Sequence, residues 1–203
     1  MSIKLPTSRL PNAQPSDLIL QNISIGKRII ELWSQAKFNK DRRVNDTVAN
    51  IIRDCNGILG CAGNFKNGCL YRESVLDEIW TPKDRKQVIC DHAIPVSELV
   101  RMYKEDDVQI EELIFYPVVR ISQEANDNLT KKGFAKRGFD PNLPLLRYSK
   151  IDLKIKTHFG EEIDPKTWTI EQHMDLVRNT PELKKIIDSL KGGVEISTEG
   201  CTE

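Results

Sequence analysis

The 203-residue chain has no run of apolar residues near the roughly 20 that a membrane-spanning helix needs, no Cys-x-x-Cys pair and no net charge. Each absence removes a class of protein. Without a long apolar run, no membrane partner is expected. With five cysteines, an odd number and none closely paired, a disulfide framework is not expected and a reducing compartment is. The opening Met-Ser-Ile-Lys-Leu-Pro lacks the apolar stretch of a secretory leader, so the expected location is cytoplasmic, or host cytoplasm if the chain is phage-encoded. The spacings of Cys55, Cys61, Cys69 and Cys90 do not form the paired knuckles of structural zinc sites. They read as small buried hydrophobes.

A net charge of zero argues against a nucleic-acid partner only as a sum. Residues 1–97 hold 14 basic and 10 acidic side chains, and residues 98–127 hold 3 and 8. Residues 128–156 hold 8 and 2, and residues 157–203 hold 5 and 10. One strongly basic segment therefore lies between two acidic ones. Within it, Lys131-Lys-Gly-Phe-Ala-Lys-Arg-Gly-Phe139 interleaves basic and aromatic residues. That mix suits contacts to a phosphate backbone, so Lys131, Lys132, Lys136 and Arg137 are the expected nucleic-acid contacts.

The pattern divides into an N-terminal helical region (1–80), a central region (81–157) and a C-terminal helical region (158–203). A helix is expected from Ser16 or Asp17 to about Ala36, with Ile25, Ile29, Leu32, Trp33 and Ala36 as its core stripe. A second is expected over about 45–55, and a third over 72–80. Gln87-Val-Ile-Cys90 reads as a short strand ending in Asp91-His92. Helical pieces follow over 96–104 and 108–115, then a second strand over 117–121. Ser122 is a natural N-cap for a helix through Leu129. Ile151, Leu153 and Ile155 alternate with polar residues, as in a half-buried strand with a basic face. Thr169 starts a helix to about Asn179, and Pro181 opens another. These two lie in an acidic segment that is poor for groove binding, so they read as packing or dimerisation helices. His173 reads as a surface residue, and His158, at the end of the basic strand, as a second candidate for touching a phosphate. The whole is an α+β protein.

Strand, turn, strand and helix bring Asp91, His92 and an Asn together in sequence order. Phosphodiester hydrolysis needs an activated water and neutralisation of charge on the phosphate. A neutral imidazole can take the proton. A hard divalent cation can stabilise the scissile phosphate and the leaving oxygen. Mg²⁺ takes few protein ligands, and a carboxylate and an amide oxygen are enough.

Asp91-His92-Ala93-Ile94-Pro95, the following strand and Asn126 on the helix resemble the HNH, or ββα-metal (His-Me finger), endonucleases. The resemblance covers about 45 residues, roughly Arg85 to Leu129. It implies a ββα-metal nuclease core with flanking helices. It also implies His92 as general base, Asp91 and Asn126 as ligands of one Mg²⁺ (or Mn²⁺), and cleavage of DNA of restriction, phage or homing type. Asp127 and Asn128 stay open as alternatives to Asn126. Ser122-Gln-Glu-Ala-Asn-Asp-Asn-Leu129, followed later by an Arg-Tyr, is similar to phage- and restriction-type members. Many members hold the catalytic His through its backbone with an Asn before the second strand. Here Ile114-Phe-Tyr-Pro117 offers none. Since one site cuts one strand, a homodimer is expected for a double-strand cut. The rival expectations are a non-catalytic nucleic-acid or protein-binding module, and an RNA-cleaving or non-specific toxin-like nuclease.

Overall fold

A computed structural model of the chain describes residues 16–55, 59, 70–76 and 88–191. The proline-rich arm, most of the Gly57–Gly68 loop and the tail from Gly192 lie outside the described residues, as do Cys61, Cys69 and Cys201. The elements in chain order are α1 (Ser16–Ser34), α2 (Lys40–Asp54), β1 (Tyr71–Glu73), β2 (Val88–His92), α3 (Val96–Glu105) and α4 (Ile110–Leu113). After these come β3 (Val118–Ser122), α5 (Gln123–Lys131), a 3-10 helix (Leu146–Ile151), β4 (Ile155–Thr157), β5 (Glu162–Ile163), α6 (Ile170–Asn179) and α7 (Pro181–Lys191). The class is α+β. Among the described residues, no helix is long and apolar enough to cross a membrane.

The strands form one sheet in the order β2-β3-β1-β4-β5. β1 runs parallel to β3, and the other neighbours are antiparallel. β1 comes from the segment read as N-terminal and helical, yet it lies at the centre of the sheet. The helix expected over 72–80 therefore gives way to a strand at Tyr71–Glu73, and residues 77–80 lie outside the described residues. All three β1 residues are buried, and a three-residue buried strand has too few positions to show a period.

Two further expectations change. α1 is present, but its core stripe is Ile19, Ile23 and Ile30, whereas Ile25 and Leu32 are each 60% exposed. The helix carries apolar residues on more than one face, and its close approach to α2 selects between them. At Gly26 an added Cβ would stand 2.2 Å from Ile51 Cδ1, so the face with no side chain is the one that docks. The alternation over 151–155 is not one strand. Ile151 ends the 3-10 helix, Asp152 turns with φ 55°, and pairing begins only at Ile155. Leu153 and Ile155 are buried all the same. Burial thus set the alternation without an extended backbone at its start.

The C-terminal pair forms as read. Thr169 and Gln172 make a reciprocal capping box on α6, satisfying two end donors of that helix. α7 then restarts at Pro181.

Candidate functional site

β2 and β3 pair antiparallel with Asp91 opposite Val119 and His92 opposite Val118. β3 runs straight into α5. Ser122 caps that helix, its Oγ accepting from the Ala125 amide at 3.1 Å. The Glu73 carboxylate accepts the Ser122 amide at 2.7 Å, fixing the same corner from β1. Ala125 and Leu129 turn inward and α5 packs on β2 and β3. Asn126 follows Ala125 and is half-buried.

Alternate residues of a strand point to opposite faces. Asp91 therefore shares a face with Val119 and Tyr71, while His92 shares one with Cys90 and Val118. Continuing the register along the second face places Arg120 beside Cys90, Arg72 beside Arg120, and Lys156 beside Arg72. His92 thus stands at the edge of a row of three cations. Arg72 and Arg120 are buried, and Arg72 donates to the Thr157 carbonyl at 2.7 Å.

On the other face, Asp91 meets a buried cation. Arg147 is 1% exposed and donates from Nη2 to Asp91 Oδ2. The same nitrogen reaches the His92 carbonyl at 2.6 Å, and Nη1 donates to the Ala135 carbonyl at 2.8 Å. Tyr148 donates its hydroxyl to Asp91 Oδ2 at 2.9 Å. Burial works against the charge on Arg147, but Tyr148 and Asp91 outweigh it, and its pKa is raised. The His92 carbonyl, which has no Asn to hold it in 114–117, is held by Arg147.

Burial, followed by the positive charges of Arg53 and Arg147, pulls the His92 imidazole down to about 4. Near neutral pH it is uncharged and able to accept a proton. A phosphate dianion or diester drawn in by the same cations would oppose their effect and strengthen the base.

The three candidates on α5 separate. Asn126 and Asn128 lie about 200° apart around the helix. Asn128 lines a groove of about 540 Å³ together with Glu73, Ser122, Lys154, Lys156 and Glu162, and neither Asp91 nor His92 is among its lining residues. Asp127 accepts from Gln123 at 2.8 Å on the exposed side. Asn126 is thus the α5 candidate not committed to the groove or to a local bond through its side chain.

Among the described residues no group of three His, Cys, Asp or Glu gathers to hold a metal ion. The pair expected from the sequence, the Asp91 carboxylate and the Asn126 amide oxygen, is a smaller donor set than such a group. Asp91 Oδ2 already serves Arg147 and Tyr148, which leaves Oδ1 for a cation. Two oxygen donors plus water suit Mg²⁺.

Lys131 ends α5 and Lys132 caps it, donating to the Lys150 carbonyl at 3.3 Å. Lys136 and Arg137 follow in the loop, and all four are exposed. Gly133 and Gly138 both take positive φ there. At Gly138 a Cβ would also meet Phe134 at 2.8 Å, so only glycine fits that turn.

The other two histidines are structural. His173, expected at the surface, is 0% exposed. Its Nε2 donates to the Phe115 carbonyl at 2.5 Å, and its Nδ1 accepts from the Tyr71 hydroxyl at 2.8 Å. Trp168 donates to the same hydroxyl at 3.0 Å. His158 is buried near Thr180 and offers no surface for a phosphate. Cys55 and Cys90 are free thiols, and Cys55 is buried as a small hydrophobe.

Arg147, Arg53, Arg72 and Arg120 are the residues that sequence reasoning did not assign to the site. Arg147-Tyr148 had a signal in the motif, and the other three had none, because only strand register and helix packing bring them there. Comparison with protein-family models, curated proteins and solved structures gives no match.

Proposed function

We propose that the protein is a ββα-metal endonuclease of the HNH type that hydrolyses DNA phosphodiester bonds. The observation that carries this reading is the β2–β3 antiparallel pair, joined through α3 and α4, with β3 leading directly into α5, Asp91-His92 at the strand end and Asn126 in the first turns of a capped helix. His92, held uncharged by burial and two arginines, takes the proton from the attacking water. The positive charge of Arg53 and Arg147, felt at His92, favours negative charge gathering on a phosphate in the transition state. A bound Mg²⁺ or Mn²⁺ on Asp91 and Asn126 would supply a Lewis acid for the phosphate and leaving oxygen. Lys131, Lys132, Lys136 and Arg137 hold the backbone of the duplex. A homodimer pairs two such sites for a double-strand cut.

The wild-type protein is expected to nick or linearise members of a mixed-sequence DNA panel in Mg²⁺, and EDTA is expected to stop it. Several sequences are needed because a specific enzyme can lack its site on any one plasmid. Cleavage of RNA but not DNA would favour the toxin-like reading, and binding of DNA without any cut would favour the non-catalytic module.

The basic loop has its own test. Replacing Lys131, Lys132, Lys136 and Arg137 together by Gln should weaken DNA binding and flatten its salt dependence. Each lost phosphate contact lowers the slope of log K against log salt by about 0.9, so four contacts lower it by about 3–4. An unchanged slope would remove this loop from the interface.

A further inference from the structure

One buried guanidinium joins Asp91, the His92 backbone and the basic loop. Arg147 reaches the Asp91 carboxylate and the His92 carbonyl on β2, and the Ala135 carbonyl directly before Lys136-Arg137. These acceptors lie 56, 55 and 12 residues from it along the chain. A planar fork with fixed donor directions can hold several acceptors in one arrangement, whereas an ammonium on a flexible stem cannot. Tyr148 shares Asp91 Oδ2, and its ring stands 5.1 Å from the guanidinium carbon. Arg147 Nε is buried and unpartnered. The side chain is therefore seated for the acceptors at its outer end, without optimal bonding along its length.

We infer that Arg147, seated by Tyr148, is the positioning residue of the Asp91–His92 site, fixing the end of β2 against the basic loop. This inference rests on the endonuclease reading for its catalytic meaning. Its physical content is separate: Arg147 sets the backbone position from which the His92 ring projects, and it confines Asp91 to one orientation. It touches the reacting atoms only through these two residues. Within that role, Lys is not a substitute, because it keeps the charge beside Asp91 but cannot hold the His92 and Ala135 carbonyls in the same geometry.

The test compares wild type, Arg147→Lys and Tyr148→Phe for steady-state cleavage, thermal midpoint and backbone amide hydrogen exchange. Arg147→Lys should keep a thermal midpoint near wild type and a KM within about twofold, while kcat falls about 100-fold, the usual effect of a small misplacement of a reacting group. Tyr148→Phe should show a smaller loss in kcat at the same KM. Amides 91–93 should exchange at least about tenfold faster in Arg147→Lys, against unchanged exchange in α6. A wild-type kcat in Arg147→Lys would overturn the inference. A parallel loss of kcat, KM and thermal midpoint would also overturn it, since that pattern marks a purely structural residue. If wild type itself cuts no nucleic acid, the endonuclease reading fails by itself. The exchange measurement then decides Arg147: faster exchange confined to 91–93 supports the positioning role, and unchanged exchange overturns it.

Discussion

Between pH 7 and pH 5 the protein should lose about 4 kcal/mol of stability through two buried histidines alone. His173 is held near a pKa of about 4, mainly by burial, against the opposing effect of its bond to Phe115. His158 is held at about 4 by burial and by the charge of Arg72. In the unfolded chain both return to about 6.5. The folded pKa is the lower one, so the unfolded state binds more protons throughout the window, and stability rises with pH. The contribution is complete above about pH 6.5 and is lost as pH falls towards 4. By pH 5 each histidine costs about 2 kcal/mol. For a chain of this size that lowers the thermal midpoint by about 10 °C. The effect precedes carboxylate protonation, so it separates from ordinary acid unfolding. Calorimetry at pH 7, 6 and 5 reads it directly, and because His92 is also held at about 4 and adds a similar dependence, His173→Gln should flatten the total by about a third. A midpoint constant to within 2–3 °C, roughly the effect of 1 kcal/mol, would contradict the neutral, buried state of both rings.

His173 also shows where the sequence is silent. It sits in a segment rich in polar residues, so composition points it to solvent. It is bonded to Tyr71 and Phe115, which lie in two other parts of the chain. No local pattern encodes such a meeting. The same holds for the cation row of Arg120, Arg72 and Lys156, which exists only through strand register. By contrast, β2, β3 and α5 are legible because each carries a local signal. These are a short apolar run ending in polar residues, a second apolar run after Pro117, and Ser122 as a cap. The helices α6 and α7 are legible for the same reason, through Thr169 and Pro181. α1 is half legible. Its length follows from helical spacing, but its inward face follows from Gly26 meeting Ile51, and an absent side chain leaves no hydrophobic signal. The two candidate residues Asp91 and His92 come from the motif. That they leave β2 on opposite faces, one to Arg147 and the other to the cation row, comes from the fold.

The largest single effect should be the loss of cleavage in His92→Ala. A general base that takes the proton of the attacking water contributes about 10²–10⁴-fold. The substitution removes that acceptor but leaves the basic loop and Arg147 in place. DNA affinity should therefore stay within about threefold of wild type, because phosphate contacts carry most of the binding. Asn126→Ala should also cut slowly and lose its response to Mg²⁺ concentration, while Asn128→Ala, whose side chain lines the separate groove, should cut normally.

The direct measurement is a cleavage time course on a DNA that wild type cuts, run with wild type and His92→Ala at matched, DNA-saturating concentrations. Circular dichroism should first show both proteins folded. A rate lower by about 10²–10⁴-fold in His92→Ala, with binding retained, is the predicted result. Equal rates for the two proteins would contradict the account and return Asp91 and His92 to a structural role at the end of β2.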